Sequence, residues 1–410
     1  MPKHALSAPE MIVLKLDNGY NVGIDSSKIA RIEVVECRPF REYSLVPTVQ
    51  FDPSLPLVKV VGTGGTIASR VEYETGAVKP AMTPQDLLEL MPELGRIARL
   101  EVEVLFNILS ENMTPHHWEQ IALCVARTIE RSDVSGIVIA HGTDTMSYTA
   151  AALAFALQNL PYPIVLVGAQ RSSDRPSTDA ALNFISAVIT TLRAPFGEVV
   201  VCMHGTPSDT YSLVHRGVKV RKMHSSRRDA FQSINDYPLA RVWPLEGRVE
   251  VLNRRFIPRK DKDSLRVIAR FEPRVALVKA YPGFQPEIID MLVDRGFKGI
   301  VIEGTGLGHI NEQSIPSIKR AVELGVAVVM TTQTLFGRVN MNVYLTGRRL
   351  LEAGVIPCSD MLPETAFVKL SWVLAQTQDL NEVRKLMLTN FVNEINPIHT
   401  PDLYPRWPGT

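Results

Sequence analysis

Residues 57–68 read LVKVVGTGGTIA, a short apolar run that ends directly in a turn of glycine and threonine. Similar apolar runs recur at residues 136–140, 164–167 and 199–203, with stretches of helical character between them. Runs of this kind, separated by helices, are typical of a parallel sheet covered on both faces. The sequence therefore predicts an α/β fold, in which ligands collect at the carboxyl ends of the strands.

The first 50 residues follow a different pattern. In LKLDNGYNVGI at residues 14–24, apolar residues alternate with others on both sides of Asp17-Asn18-Gly19, which predicts a β-hairpin. A further strand is predicted near residues 29–35, and prolines at 47, 53 and 56 then indicate a linker. We expect residues 1–50 to form a small β segment that is too short to have a core of its own.

A second α/β series follows a polar linker, predicted at residues 246–266, that contains NRRFIPRKDKDS. We expect two larger domains, residues 51–250 with the candidate site and residues 265–410. A helix is predicted from about Thr365 to Thr377, before a proline-rich tail. The apolar runs of the second series lie at residues 275–279, 299–302 and 327–330.

Composition excludes several classes of protein. The 410 residues carry a net charge of +1, so no strong field favours nucleic acid or a membrane surface. The four cysteines, Cys37, Cys124, Cys202 and Cys358, lie far apart, which argues against a zinc site or a disulfide framework. The N-terminus has no signal-peptide pattern, and no stretch reaches about eighteen apolar residues. We therefore expect a cytoplasmic protein.

The turn at residues 62–68 is rich in glycine, which lets a ligand approach the backbone closely. A dinucleotide fingerprint fits at Gly62 and Gly64 but fails at Ile67, where a third glycine is needed. A phosphate-binding P-loop fails because no Gly-Lys-Ser/Thr follows. A catalytic turn and a plain structural turn remain open from this fragment alone.

A second turn, HGTDTM at residues 141–146, places a hydroxyl beside a carboxylate at the predicted start of a helix. Thr143 or Asp144 could simply cap that helix, as such residues often do. A helix N-terminus also suits an anion or an oxyanion, because its free N–H groups point outward. Capping and catalysis are compatible at this position.

The segment VKVRKMHSS at residues 218–226 is basic, and most basic segments are solvated surfaces. The functional alternative is a buried lysine near Thr143 and Asp144, since a lysine that loses its proton can accept one from a hydroxyl. We expect Lys222 alone to turn inward. The other basic residues of the segment, namely Lys219, Arg221, Arg227 and Arg228, are expected to stay outside or to meet a partner.

These three elements together resemble the L-asparaginase/glutaminase family. The resemblance extends from Leu57 to about Asn393 and rests most strongly on TGGTIA at residues 63–68 and HGTDTM at residues 141–146. It implies two parallel-sheet domains of the asparaginase type, with no metal or organic cofactor on this chain. It also implies that Thr66 and Thr143 are the two catalytic threonines.

The same resemblance implies roles for five further residues, each matched by position. Asp144 and Lys222 complete an Asp–Lys–Thr relay, and Ser110 holds the α-carboxylate of the substrate. Glu111 stands where many free asparaginases have glutamine, beside the substrate α-amino group. Tyr73 falls in the stretch that matches the mobile lid of the family.

Four longer segments resemble the D subunits of the archaeal glutamyl-tRNA(Gln) amidotransferases, which are asparaginase homologues with a small β-barrel in front. LKLDNGYNVGI and KIARIEVVE, residues 14–24 and 28–36, look like the last strands of that barrel. Either the barrel is incomplete or the true start lies upstream of Met1. The four segments are VGAQRSSDRPSTDAALN (167–183), KVRKMHSSRRDAFQSIN (219–235), VIEGTGLGH (301–309) and GVIPCSDMLPETAFVKL (354–370).

The implied function is a glutaminase that supplies ammonia to a partner. Thr66 or Thr143 would attack the glutamine side-chain amide, and Lys222, held by Asp144, would take the hydroxyl proton. The E subunit of the amidotransferase would use the ammonia, with ATP and Mg²⁺, to convert Glu-tRNA(Gln) to Gln-tRNA(Gln). The expected assembly is a homodimer within a heterotetramer. A free-standing L-asparaginase/glutaminase and a non-catalytic scaffold are the alternatives.

Overall fold

The computed structural model describes most of the chain beyond the N-terminal segment. The described residues are 11–15, 21–31, 33, 52–65, 69–71, 78–80, 87, 91–171 and 178–404. Among the described helices, none combines the length and the apolar character that crossing a membrane requires.

The N-terminal segment contains the predicted hairpin. Strands β1 (Met11–Lys15) and β2 (Asn21–Asp25) pair antiparallel, with Ile12 opposite Ile24. The predicted turn at residues 17–19 lies outside the described residues. Within the described part of this segment, residues 29–31 and 33 are not in a strand, and β1 and β2 pair only with each other. The further strand predicted near residues 29–35 is therefore wrong at these described positions.

The described strands of the first large domain are β3 (Leu57–Gly62), β4 (Ser69–Val71), β5 (Val78–Pro80), β6 (Arg99–Val104), β7 (Val134–Ala140), β8 (Leu157–Gln158), β9 (Ile164–Val167), β10 (Val199–His204), β11 (Ser212–Arg216), β12 (Val220–Lys222), β13 (Phe231–Ser233), β14 (Ala240–Trp243), β15 (Arg248–Val251) and β16 (Arg266–Val267). Eight of them form one sheet with the order β15-β14-β11-β10-β9-β7-β3-β6. The central strands of this sheet are parallel, and all six residues of β3 are buried because helices cover both faces.

Three described α-helices cover this sheet: α1 (Pro115–Glu130), α2 (Met146–Ala156) and α3 (Ala180–Arg193). Helix α1 has a proline at its first position. Its N-terminus is capped by reciprocal hydrogen bonds between Thr114 and His117. Helix α2 is buried almost all round, as its alanine-rich sequence allows, because it lies between this sheet and the second domain.

The second domain has a four-stranded parallel sheet in the order β17 (Val275–Lys279), β18 (Gly299–Gly304), β19 (Ala327–Thr332) and β20 (Ile356–Pro357). The three predicted apolar runs are its first three strands. The helices of this domain are α4 (Glu287–Asp294), α5 (Ile315–Glu323), α6 (Leu345–Glu352), α7 (Pro363–Leu374) and α8 (Leu380–Leu388).

Two sequence predictions need correction here. The predicted linker at residues 246–266 includes the edge strand β15, because its residues pair with β14 and extend the first sheet. The predicted proline-rich tail contains α8, whose first turn is capped by Asp379 through a hydrogen bond from Glu382 N–H. The helix predicted near residues 365–377 is α7, which begins two residues earlier at Pro363.

The two domains are packed together through α2 and α7. The rings of Phe155 and Trp372 stack with their centroids 5.6 Å apart, and both side chains are buried. The Trp372 indole also donates a hydrogen bond to the Ile268 carbonyl in the connection between the domains. This shared core fixes the position of the second domain relative to the first.

The three cysteines that the structure describes are buried free thiols. Burial raises the pKa of Cys202 and of Cys358 to about 12, so both remain protonated at neutral pH. Cys37 lies outside the described residues.

Candidate active site

Two glycine- and threonine-containing turns meet at the carboxyl edge of the first sheet. Strands β3 and β7 are parallel neighbours with Gly62 opposite Ala140, so the turns that follow them are adjacent. The backbone N–H and the hydroxyl of Thr63 both donate to the Ala140 carbonyl, each at 3.0 Å. A Cβ on Gly65 would lie 2.6 Å from Gly142 N, and the φ of Gly65 is +88°. The close contact between the turns therefore requires glycine at this position.

Lys222 contacts both predicted partners in the second turn. Its Nζ lies 2.9 Å from Thr143 Oγ1 and 2.8 Å from Asp144 Oδ1. The lysine side chain is 12% exposed, whereas that of Asp144 is 69% exposed. The Lys222 amine is thus largely removed from water and lies within hydrogen-bond distance of the Thr143 hydroxyl. The Asp144 carboxylate remains exposed to solvent. This confirms the predicted inward orientation of Lys222.

The lysine reaches the turn from a short hairpin outside the main sheet. In this hairpin β12 pairs with β13, with Lys222 opposite Phe231, and Met223 N–H donates to the Ala230 carbonyl. Phe231 and Ala230 are buried, so the hairpin has a fixed position against the domain. The lysine is therefore held by a packed element rather than by a solvated loop.

Ser110 and Glu111 lie on a short 3₁₀ helix, Ser110–Asn112, beside the same turn. Ser110 is buried, and its carbonyl accepts a 2.6 Å hydrogen bond from the Thr145 hydroxyl. A Cβ on Gly142 would lie 2.7 Å from the Ser110 Cβ. The serine is thus in contact with the Thr143 turn, whereas the Glu111 side chain is exposed. Of these two residues, only the serine is packed against the turn.

Thr66 and Tyr73 lie outside the described residues. The first catalytic threonine and the lid tyrosine therefore stay predictions from the sequence. The described part of the first turn ends at Gly65, one residue before Thr66 and already in contact with Gly142.

The helix-capping alternative for Thr143 and Asp144 is not what the structure shows. Helix α2 begins at Met146, and the residue at its N-cap is Thr145, whose hydroxyl bonds Ser110 instead of a helix N–H. Thr143 and Asp144 precede the cap and bond Lys222. Their side chains are thus available for chemistry rather than used to start the helix.

Sequence reasoning missed a third contributor, Gly168, which follows β9. A Cβ on Gly168 would lie 2.8 Å from the Thr143 methyl group and 2.7 Å from the Met146 side chain. The signal was available, because Gly168 directly follows a predicted apolar run in the same way as the two turns do. Glycine at this position leaves space for the threonine side chain.

A buried hydrogen-bonded chain supports the second turn from below. The Gly142 carbonyl can only accept, so His141 Nδ1 carries the hydrogen and donates to it at 2.7 Å. Nε2 of the neutral ring then accepts from the Thr149 hydroxyl at 2.9 Å, and the Trp118 indole N–H donates to Thr149 Oγ1 at 3.2 Å. Burial lowers the pKa of His141 to about 4, which keeps this ring neutral. The neutral ring fixes the carbonyl that precedes Thr143.

The expectation that the other basic residues stay outside is wrong for two of them. Lys219 is fully buried, with its Nζ 2.7 Å from Asp360 Oδ2 of the second domain. Arg228 is 8% exposed and bonds Asp209 at 2.7 Å. The pairing with Asp360 joins residues 141 positions apart, so local sequence could not reveal it.

The arrangement of Thr143, Asp144 and Lys222 suits proton transfer to and from a threonine hydroxyl. Once its ammonium has lost a proton, the Lys222 amine can accept one from a hydroxyl 2.9 Å away. The Asp144 carboxylate, 2.8 Å away, orients the amine. In the described ranges, no group of three or more His, Cys, Asp or Glu side chains is arranged to hold a metal ion.

Comparison with known proteins places these residues in a family. Residues 57–256 match the family described as asparaginase, N-terminal, and residues 274–387 match the glutaminase/asparaginase C-terminal domain. Residues 1–35 match the GatD N-terminal domain. The D subunit of the glutamyl-tRNA(Gln) amidotransferase of Pyrococcus abyssi is 58% identical over 407 residues, covering 99% of this chain and 92% of that protein. The chain belongs to the family of glutamyl-tRNA(Gln) amidotransferase D subunits.

Other comparisons agree with membership of this D-subunit family. The protein of the same name from Sulfurisphaera tokodaii is 53% identical over 409 residues, covering 99% of this chain and 90% of that protein. The solved L-asparaginase of Thermococcus kodakarensis matches with a TM-score of 0.74 and 35% identity, covering 83% of this chain and 99% of that chain. L-asparaginase I of Vibrio cholerae matches with a TM-score of 0.72 and 29% identity, covering 84% and 100%. The predicted α/β fold of the asparaginase type is confirmed.

The neutral, buried His141 predicts a pH dependence of stability. Its pKa is about 4 in the folded chain and 6.5 in an unfolded one, so between these values only the unfolded chain binds the proton. The free energy of unfolding should therefore fall as the pH falls from 6.5 towards 4. In urea titrations, His141→Gln should flatten this slope by up to about 1.4 kcal/mol per pH unit.

The exposed His116 provides the control for this experiment. His116→Gln makes the same substitution at a side chain that is 72% exposed, and its slope is measured beside that of His141→Gln. Buried His215, whose pKa burial lowers to about 3, contributes a slope of the same sign in every variant. An unaltered slope in His141→Gln would show that this histidine is not held neutral.

Proposed function

We propose that this chain is the glutaminase component of a tRNA-dependent amidotransferase, which releases ammonia from the side-chain amide of glutamine. The observation that carries the proposal is Lys222, whose Nζ bridges Thr143 and Asp144 at 2.9 and 2.8 Å. Relatives with 53 to 58% identity over nearly the whole chain have the name of the amidotransferase D subunit. The name of these relatives indicates the class of reaction. The hydrogen bonds of Lys222 to Thr143 and Asp144 show that this chain has a side chain placed to take part in it.

In the proposed mechanism, a threonine hydroxyl attacks the amide carbon of glutamine. Either Thr66 or Thr143 is the nucleophile, and Lys222 takes the hydroxyl proton and passes it to the leaving nitrogen, so that ammonia departs. The threonine is left as an ester of glutamate. Water then attacks the ester carbonyl, which releases glutamate and restores the hydroxyl. Backbone N–H groups of the two turns stabilise the oxyanion in both steps.

The ammonia would serve a second protein. We propose the E subunit of the amidotransferase as the partner, which would activate Glu-tRNA(Gln) with ATP and Mg²⁺ and then accept the ammonia to form Gln-tRNA(Gln). A homodimer of this chain would form the centre of a heterotetramer in the cytoplasm. Under this proposal, this chain supplies ammonia and needs no cofactor of its own.

A free-standing L-asparaginase/glutaminase is the second candidate. The similarity to the Thermococcus kodakarensis L-asparaginase favours it, since the two chains share the fold with a TM-score of 0.74. The match of residues 1–35 to the GatD N-terminal domain favours the amidotransferase component. Dependence of ammonia release on the E subunit and on tRNA would distinguish the two.

Removal of either threonine hydroxyl tests the reaction directly. We expect Thr66→Ala and Thr143→Ala each to abolish ammonia release from glutamine, because one hydroxyl forms the ester and the other belongs to the proton relay. Circular dichroism and thermal unfolding should show that both variants remain folded. A variant with near wild-type glutaminase activity would remove that threonine from the mechanism.

Lys222→Arg tests the lysine as a base. Arginine keeps the positive charge but does not lose a proton near neutral pH, so ammonia release should fall by about a hundredfold or more. Lys385→Arg is the matched control, since that side chain is 71% exposed and pairs with nearby Glu382, and it should keep full activity. An active Lys222→Arg enzyme would contradict the proposed relay.

Glu111→Gln tests the choice of substrate. A carboxylate only accepts hydrogen bonds and can pair with the substrate ammonium, whereas an amide both donates and accepts. The change should alter the ratio of kcat/KM for glutamine to that for asparagine. It should leave the unfolding temperature unchanged, since the side chain is exposed. An unaltered ratio would mean that this side chain does not contribute to substrate selection.

A further inference from the structure

The segment that carries Lys222 is fixed from the second domain. Three contacts join it to residues 359–365, which follow β20 and include the first turn of α7. The Thr365 hydroxyl donates to the Val218 carbonyl at 2.8 Å. Lys219 pairs with Asp360 at 2.7 Å, and Arg221 Nε lies 3.3 Å from Glu364. Each contact is made within four residues of Lys222.

The first two of these contacts are closed to water. Lys219 and the Asp360 side chain are fully buried, and Thr365 is 2% exposed. Glu364 is also buried, and its second carboxylate oxygen has no hydrogen-bond partner among the described residues. The Lys219–Asp360 pair and the Thr365–Val218 hydrogen bond therefore favour a single backbone conformation. Any displacement would leave a buried charge or a backbone carbonyl without a partner, which is unfavourable.

The pair of Lys219 and Asp360 is further tied to the C-terminal tail and to the end of the hairpin. Asp360 accepts a hydrogen bond from the backbone N–H of Asn396 at 2.9 Å and lies 3.3 Å from His399. Its backbone carbonyl accepts from the Asn235 side chain at 3.2 Å. The Ile234 N–H donates in turn to the Lys219 carbonyl at 2.8 Å. The start of β12 and the end of β13 are thus both fixed by the second domain.

From these contacts we infer that Asp360 and Thr365 are positioning residues for Lys222, and that the second domain thereby sets the alignment of the proton relay in the first. Lys222 must lie within hydrogen-bond distance of Thr143 and Asp144 at once, and its own side chain has four rotatable bonds. The backbone from Val218 to Lys222 therefore decides where the amine can reach. This inference rests on the proposed function, since it assigns no new reaction.

The Thr365 hydroxyl offers a test that removes a single hydrogen bond, and thermal unfolding under the assay conditions must show that the variant is folded. Thr365→Val keeps the shape of the side chain and removes only the bond to the Val218 carbonyl. We expect it to lower kcat for ammonia release by roughly tenfold to a hundredfold, with KM for glutamine little changed, as a small displacement of a catalytic group does. Thr365→Ser retains the hydroxyl and should restore kcat.

The matched control lies on the same helix. Ser371 is also buried and also donates its hydroxyl to a backbone carbonyl, that of Glu272 at 2.7 Å, but it contacts the connection between the domains and not the lysine segment. Ser371→Ala should leave kcat unchanged. If Thr365→Val and Ser371→Ala have the same kcat, or if the loss in Thr365→Val is confined to KM, the inference is overturned.

A second variant tests the buried pair. Lys219→Arg conserves the charge but places a larger, planar group in a closed space, so kcat should fall although Lys219 contacts neither Thr143 nor Asp144. Unfolding transitions measured under the assay conditions must show that the variant is folded. A folded Lys219→Arg enzyme with wild-type kcat contradicts the inference.

Lys222→Arg is measured beside these variants. All variants are assayed in the preparation in which the wild-type chain releases ammonia, either the chain alone or the chain assembled with its partner and tRNA. An active Lys222→Arg enzyme would overturn the proposed relay itself. An inactive Lys222→Arg enzyme together with an unaffected Thr365→Val enzyme would overturn only the role of the second domain.

Discussion

The parallel pairing of β3 with β7 is the constraint on which the site depends. Because Gly62 lies opposite Ala140, both strands end at the same level and their turns are in contact. Thr63 then bonds the Ala140 carbonyl, and Gly65 lies against Gly142 with no space for a Cβ between them. Contact between two backbones leaves no space for side chains, so the register of the two buried strands determines where Thr143 and Asp144 lie.

Three elements that do not belong to that pairing complete the site. The 3₁₀ helix at Ser110 joins it through the Thr145 hydroxyl, and β9 leaves space for Thr143 at Gly168. The β12–β13 hairpin adds the amine of Lys222. Each element is held by buried groups, so Thr143 and Lys222 are positioned before a substrate arrives, and under the proposed function little reorganisation of these two side chains is left for the reaction.

One fully buried ion pair joins the two domains, and a second lies within the second domain. Lys219 of the first domain lies 2.7 Å from Asp360 of the second, and Lys369 lies 2.6 Å from Glu394 within the second. Burial by itself lowers the pKa of both lysines, and the paired carboxylates oppose this effect. Such pairs add little net stability, but loss of one partner leaves a buried charge, which typically costs about 3–5 kcal/mol. Alternative packings of the two domains are therefore disfavoured.

The sequence by itself determined the sheet class, the positions of the main strands and the two turns. Apolar runs that end in glycine and threonine indicate buried strands followed by tight turns, a property of the local sequence alone. The family resemblance then assigned the proton-relay roles to Thr143, Asp144 and Lys222 by their positions. Only the tertiary structure decided which basic residues are buried. Lys219 and Lys222 lie three residues apart in one basic segment, and their partners Asp360 and Asp144 come from different domains. Composition could not separate these two lysines, because the desolvation of each one depends on contacts with residues distant in the chain.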